Sequence, residues 1–211
     1  MYLHYLKLNL YYCDEVRDIS SLGKVEDLDI RWCRNISDVS CLIGLNSLAI
    51  SLNFITRGLE VLENVKDYLC LDDDYNLTAE FLNKLKASHI GVVGNYIFSD
   101  VSLLVGRPRS KVTISFCPLV VDVSPLSKIK SVELWNMDGI TDVSALSKCD
   151  EVYLSNLQNI TDVSALRHVP KLTLEECNSI TDVSMLSHIP VLSIKNCRGI
   201  INWGEVVISL I

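Results

Sequence analysis

The sequence predicts a mostly β solenoid of the α/β type: a right-handed stack of about ten coils, with a parallel sheet on the concave face and short 3₁₀ or extended turns on the convex face. Three observations predict it. From Ile140 to Gly199 the chain reads as three twenty-residue lines, ITDVSALSKCDEVYLSNLQN, ITDVSALRHVPKLTLEECNS and ITDVSMLSHIPVLSIKNCRG. So short a unit cannot bury its own apolar face and must borrow a neighbour's. Within one copy the apolar positions are Val152, Leu154, Leu157, Ile160, Val163, Leu166 and Val169. The first step, of two residues, is strand spacing; the later steps of three suit a narrow return better than the 3.6 of an α-helix. The same register also runs through the rest of the chain.

Taken in order, the first inward strand residue falls at Leu8, Leu28, Leu48, Leu69, Ile90, Val112, Val132, Val152, Leu172 and Leu192. Two residues on, a second apolar residue recurs as Leu10, Ile30, Ile50, Leu71, Val92, Ile114, Leu134, Leu154, Leu174 and Ile194. Each pair marks one strand. Coils three to six are less regular. Ile55 follows Asn53 one residue early, Gly58 and Ala79 stand where other coils have Asp, and GRPRS (106–110) lengthens a return. In the fourth coil Val65 and Tyr68 compete with Lys66 and Leu69 as the inward pair. These irregularities are either drift in a tolerant array or a loop that a partner reads.

Written as L-x-L-x-x-C/N-x-x-I with I-T-D-V-S-x-L on the return, the unit resembles the leucine-rich repeat. It is similar to the short-convex-side repeats of the internalin-like class and to the long I-T-D-V-S-A-L arrays of giant viruses of amoebae. The resemblance implies a parallel-stranded solenoid used for protein binding, and a viral origin. With 211 residues, 49% of them hydrophobic, and no Pro/Gly/Ser linker, one domain is expected over 1–211. Residues 1–7 form its N-terminal edge, 8–199 ten repeats and 200–211 the C-terminal edge or cap.

The N-terminus MYLHYLKLNLYYC lacks a basic stretch followed by a long apolar one, and no apolar run reaches the roughly 18 residues that span a bilayer. The expectation is a cytoplasmic chain (host cytoplasm or virion if viral), not secreted and with no membrane partner. Formal net charge is −7, and no basic, aromatic-interleaved patch occurs, so nucleic acid is not expected as a partner. Cys13, Cys33, Cys117, Cys177 and Cys197 share one ladder position with Asn53, Asp74, Asn95, Met137 and Leu157. Exchange with Met and Leu predicts buried thiols, and Asn predicts a side chain bonding the turn backbone. There is no CxxC, and no histidine lies at ligand spacing beside these cysteines, so neither a metal nor a cofactor is expected.

Two polar rows accompany the returns. Asp18, Asp38, Asp100, Asp122, Asp142, Asp162 and Asp182 each precede a serine by two residues. An aspartate there accepts a backbone N–H of the turn, which is what a narrow return needs; cation binding is the alternative. Lys24, Lys128, Lys148, His168 and His188, with Lys86 close by, form a basic row just before the strands. It reads as a solvated edge, with electrostatic contact to a partner as the alternative. The run Asp72, Asp73, Asp74 could hold a hard cation only if alternation did not send neighbours to different faces.

Alternation also turns the residues between and after the anchors onto the concave sheet. There Tyr11, Tyr12, Arg31, Trp32 and Leu52 are expected to adjoin one another, as are Phe116, Trp135 and Tyr153. Large aromatics and arginine anchor protein interfaces, so these eight are the candidate partner-binding residues. The alternative is that they simply cover strand backbone. No HExxH, G-x-S-x-G, Walker loop or GxGxxG occurs, so no catalytic residue is assigned and an enzyme is not expected. The expected function is non-catalytic binding of a protein or peptide by the concave face. The rival is a structural component that self-associates through its terminal coils, where Leu3, Leu6 and the tail Val206, Val207, Ile208, Leu210 and Ile211 leave apolar edges.

Overall fold

The computed structural model describes residues 6–73, 75–105 and 109–206. Two compact units divide the chain, Met1–Asn95 and Tyr96–Ile211. The first holds β1 (Lys7–Asn9), β2 (Asp27–Asp29), β3 (Ser47–Ser51), β4 (Tyr68–Asp72) and β5 (His89–Val93). The second holds β6 (Lys111–Ser115), β7 (Ser131–Trp135), β8 (Glu151–Ser155), β9 (Lys171–Glu175) and β10 (Val191–Lys195). Within each unit every strand pairs in parallel with the next in sequence, as single coils laid side by side require. The molecule is a mostly β solenoid.

The register follows the expected anchors. Leu8, Leu28, Leu48, Leu69 and Ile90 lie opposite one another in the first unit. Val112, Val132, Val152, Leu172 and Leu192 do so in the second. Leu69 and Leu71 are buried in the fourth coil. The competing Tyr68 lies half-buried on the other face of the sheet, and Val65 fills the core below the return.

The returns are 3₁₀ turns in most coils, such as Ser124–Lys128, Ser144–Lys148 and Ser164–His168. Their aspartates act as turn caps. Asp18, Asp38, Asp100, Asp122, Asp142, Asp162 and Asp182 each accept the backbone N–H of the serine two residues on, at 2.8 or 2.9 Å. The fourth coil departs from the pattern with an α-helix, α1 (Ala79–Lys84), because Thr78 caps it by accepting the Phe81 N–H and good helix formers follow. In the third coil Gly58 replaces the aspartate with φ 84°, and a Cβ there would lie 2.3 Å from the Ser40 nitrogen. Only glycine fits that approach.

Cys33, Cys117, Cys177 and Cys197 are buried, as is Cys149, whose thiol burial pushes up to about 11. All eight cysteines are free thiols. Asn95 is buried with its amide donating to the Tyr75 carbonyl at 2.9 Å, the backbone-bonding use expected of asparagine in that ladder. Asn53 does not take its ladder place, being exposed. Leu3, Asp74, residues 106–108 of the lengthened return and the tail 207–211 lie outside the described residues.

Candidate binding surface

Side chains on the face of the sheet away from the core form three columns per unit. One of them, the residue just before each anchor, escaped the sequence reading: Lys7, Asp27, Ser47, Tyr68 and His89, then Lys111, Ser131, Glu151, Lys171 and Val191. Counting two residues back from the first outward position would have found it.

In the first unit the structure brings together Tyr11, Tyr12, Arg31 and Trp32. Tyr11 meets Tyr12 edge-on at 4.7 Å between ring centroids, and Tyr12 stacks on Trp32 at 5.7 Å and 13°. The Arg31 guanidinium lies 5.1 Å from the Tyr11 centroid. It also makes a forked pair with Asp29, at 3.0 Å from Nε and 2.7 Å from its terminal nitrogen, and approaches Asp72 at 4.0 Å. These hydrogen bonds raise the arginine pKa further above its ordinary value, whereas burial raises that of the Asp72 carboxyl.

Leu52 does not belong to this surface. It is 1% exposed and lies in the core, so its place among the outward residues is corrected. The coils bearing Tyr12 and Trp32 leave the strand through a residue with φ 61° and 60°. The third coil omits that left-handed step and passes straight from β3 into the 3₁₀ turn Leu52–Phe54. Leu52 and Ile55 thus fill the buried positions held by Cys33 and Ile36 one coil earlier, which also explains why Ile55 arrives early.

Several small residues of the central columns are likewise covered: Ala49, Ser51, Cys70, Thr113 and Ser115 are buried on a face expected to be open. Cys70 lies beneath the Tyr68 ring, which also closes on Gly91 and packs at 4.3 Å against His89. Beside this cover a shallow cavity of about 240 Å³ is lined by Lys7, Asp27, Asp29, Arg31, Ser47 and Tyr68, among others. Asp27 Oδ1 is buried there without a hydrogen-bond partner.

In the second unit Trp135 packs on Tyr153 at 5.7 Å and 57°. Phe116 joins them through the backbone, its N–H donating to the Trp135 carbonyl at 3.2 Å. Trp135 is 38% exposed and Phe116 49%. Around them runs a polar network. Lys111 and Thr113 bond Glu133, Lys171 and Ser131 bond Glu151, and the Tyr153 hydroxyl donates to Glu175. Burial and that carboxylate push the Tyr153 hydroxyl up to about 12.

Among the described residues no group of three or more His, Cys, Asp or Glu side chains is placed to hold a metal ion, and no helix is long and apolar enough to cross a membrane. No protein-family profile matches the chain, and no curated protein matches it. Solved structures do resemble it. An internalin (inlF) from Listeria monocytogenes superposes with a TM-score of 0.56 at 21% identity, over 85% of this chain and 57% of its own. The functional domain of InlJ from the same organism, which includes a cysteine ladder, gives 0.50 at 18%, over 85% of this chain and 41% of its own. The chain thus spans little more than half the length of the first neighbour and less than half of the second. Short coils, parallel in-register strands and 3₁₀ returns, together with these neighbours, identify the fold as the leucine-rich-repeat solenoid of the internalin type.

Proposed function

We propose that the chain is a non-catalytic protein-interaction module that binds a protein or peptide through the concave face of its sheet. The observation that carries this reading is where the exposed aromatics sit. Tyr12, Trp32 and Phe116 occupy left-handed positions, φ 61°, 60° and 52°, where other coils place Asn136, Asn156, Asn196, Gly94, Asp73 or Glu176, none of them aromatic. Bulky side chains are strained there, and Tyr12 and Phe116 are about half exposed, so folding alone does not account for them. An interface does: rigid aromatics beside an ion-paired arginine are the side chains that anchor protein partners. A cytoplasmic setting goes with eight cysteines that form no disulfide.

The test compares proteins captured by the wild-type chain with those captured by Trp32→Ala and Trp135→Ala. Loss of a hot-spot tryptophan costs about 2 kcal/mol or more, so retention of the partner should fall roughly thirtyfold while the circular dichroism spectrum stays unchanged. An unchanged captured set would remove the reading.

A second reading is favoured by the last strand. Leu192 and Ile194 of β10 are only half-buried, whereas Leu172 and Leu174 one coil earlier are fully enclosed. Such an edge suits self-association through a terminal coil. Light scattering on the intact chain and on a version trimmed after Gly204 tests it: a monomer at every concentration in both removes assembly, and a dimer or polymer that changes on trimming supports it.

A further inference from the structure

The outer face of the first unit's sheet is hollow at its third strand. Ser47 and Ala49 of β3 stand between Asp27 and Asp29 on β2 and Tyr68 and Cys70 on β4. Two small side chains thus separate taller ones, and the Tyr68 ring leans away over β5, where it meets His89 and Gly91. What remains open is the shallow cavity of about 240 Å³. Its charges do not balance. Asp29 is held in the Arg31 fork, and the same guanidinium approaches Asp72 at 4.0 Å, so two carboxylates share one cation. Asp27 lines the cavity half-buried, and its buried Oδ1 accepts no hydrogen bond. Lys7 lies opposite Asp27 on β1, but its side chain is exposed and no ion pair joins the two among the described residues.

We propose that this cavity receives the ammonium of a lysine side chain on the protein partner, paired with Asp27. Three carboxylates, Asp27, Asp29 and Asp72, face two cations there, Arg31 and Lys7, so one incoming cation completes the balance. The chain's formal net charge of −7 draws a basic segment toward it. An apolar side chain in the same place would strip the remaining water from an unpaired charge, which is unfavourable. The enclosure of Oδ1 selects among cations. A guanidinium fork uses both oxygens of a carboxylate, whereas an ammonium is a point charge that a single oxygen satisfies. The methylene stem of a lysine also suits the apolar surface that Ala49 and the Tyr68 ring give the cavity. The inference rests on the concave-face reading and adds the chemistry of one contact within it.

The experiment titrates the isotope-labelled full chain with acetyl-Gly-Lys-Gly amide, with its Nε-acetyl-lysine counterpart, which lacks the charge, and with acetyl-Gly-Arg-Gly amide. The signal is the backbone N–H resonances of Ser47 and Ala49. The expected result is a saturable shift with a dissociation constant in the millimolar range, as suits one side chain. Binding should weaken about tenfold for the acetylated peptide and for Asp27→Asn, and about threefold for the arginine peptide. Lys7→Gln removes the like charge opposite Asp27 and should tighten lysine binding about threefold. No shift at the two resonances, equal binding of the charged and acetylated peptides, arginine binding as tight as lysine, weaker binding in Lys7→Gln, or an unaltered affinity in Asp27→Asn overturns the proposal. Partner capture separates it from the broader reading. If Trp32→Ala abolishes capture and Asp27→Asn leaves it intact, the concave face binds but the lysine contact is wrong.

Discussion

At Phe116 the backbone turns through φ 52°, a step that the next two coils assign to Asn136 and Asn156. Asparagine tolerates the left-handed region, and here the Asn156 amide also donates to Asn136 Oδ1 at 2.6 Å. Phe116→Asn should therefore raise stability, by about 1 kcal/mol, while weakening partner capture. Chemical denaturation and a pull-down on the same variant check the two halves, and a destabilised variant would mean that the phenyl ring serves the fold. The core predicts the opposite behaviour. Leu154 and Leu174 are fully buried mid-array, so truncating either to Ala should cost about 2 to 5 kcal/mol in urea unfolding. Leu52 shows where residue-level reading failed. Alternation placed it outward, but the absence of a left-handed step, which no residue type in SLNFI announces, moved it inward.

The repeated element of the fold is the Asp-x-Ser step that opens the return. Hydrogen bonds from the serine hold Asp18, Asp38, Asp122, Asp142, Asp162 and Asp182 below the ordinary carboxylate pKa of 3.8. A carboxyl depressed in the folded state contributes stability that is present above pH 3.8 and lost as pH falls through the folded value. Thermal stability should thus drop as pH is lowered from about 4 toward 2, and Asp142→Asn should blunt the drop; an acid profile unaffected by the variant would contradict the capping role. Gly58 is an exception among these steps. Gly58→Ala brings a Cβ against the Ser40 backbone at positive φ and should destabilise the third coil strongly, seen as faster amide exchange around 36–58. The strands and caps were legible in the sequence because periodicity and local hydrogen bonding fix them. The helix α1 was missed because a six-residue run after Thr78 competes weakly with a pattern of three.

For the whole molecule, the ten-coil register was legible because each strand repeats the same two inward residues, and a slip would expose both. The covered centre of the outer sheet face was not. The Tyr68 ring over Cys70 and Gly91, and the Tyr153 hydroxyl on Glu175, depend on cross-coil rotamers that a column of letters does not contain. We propose that 1–211 behaves as one domain, so calorimetric and van 't Hoff enthalpies of unfolding should agree; two resolved transitions would argue for units that unfold separately. The claim that the concave sheet face binds a protein is tested most directly by photo-cross-linking. A photoreactive residue is placed at Ser131 or Thr173 on the outer sheet face, or at the exposed Thr141 or Thr161 on the returns. The account predicts one partner cross-linked from both sheet positions and from neither return position. Cross-links from the returns alone would contradict it.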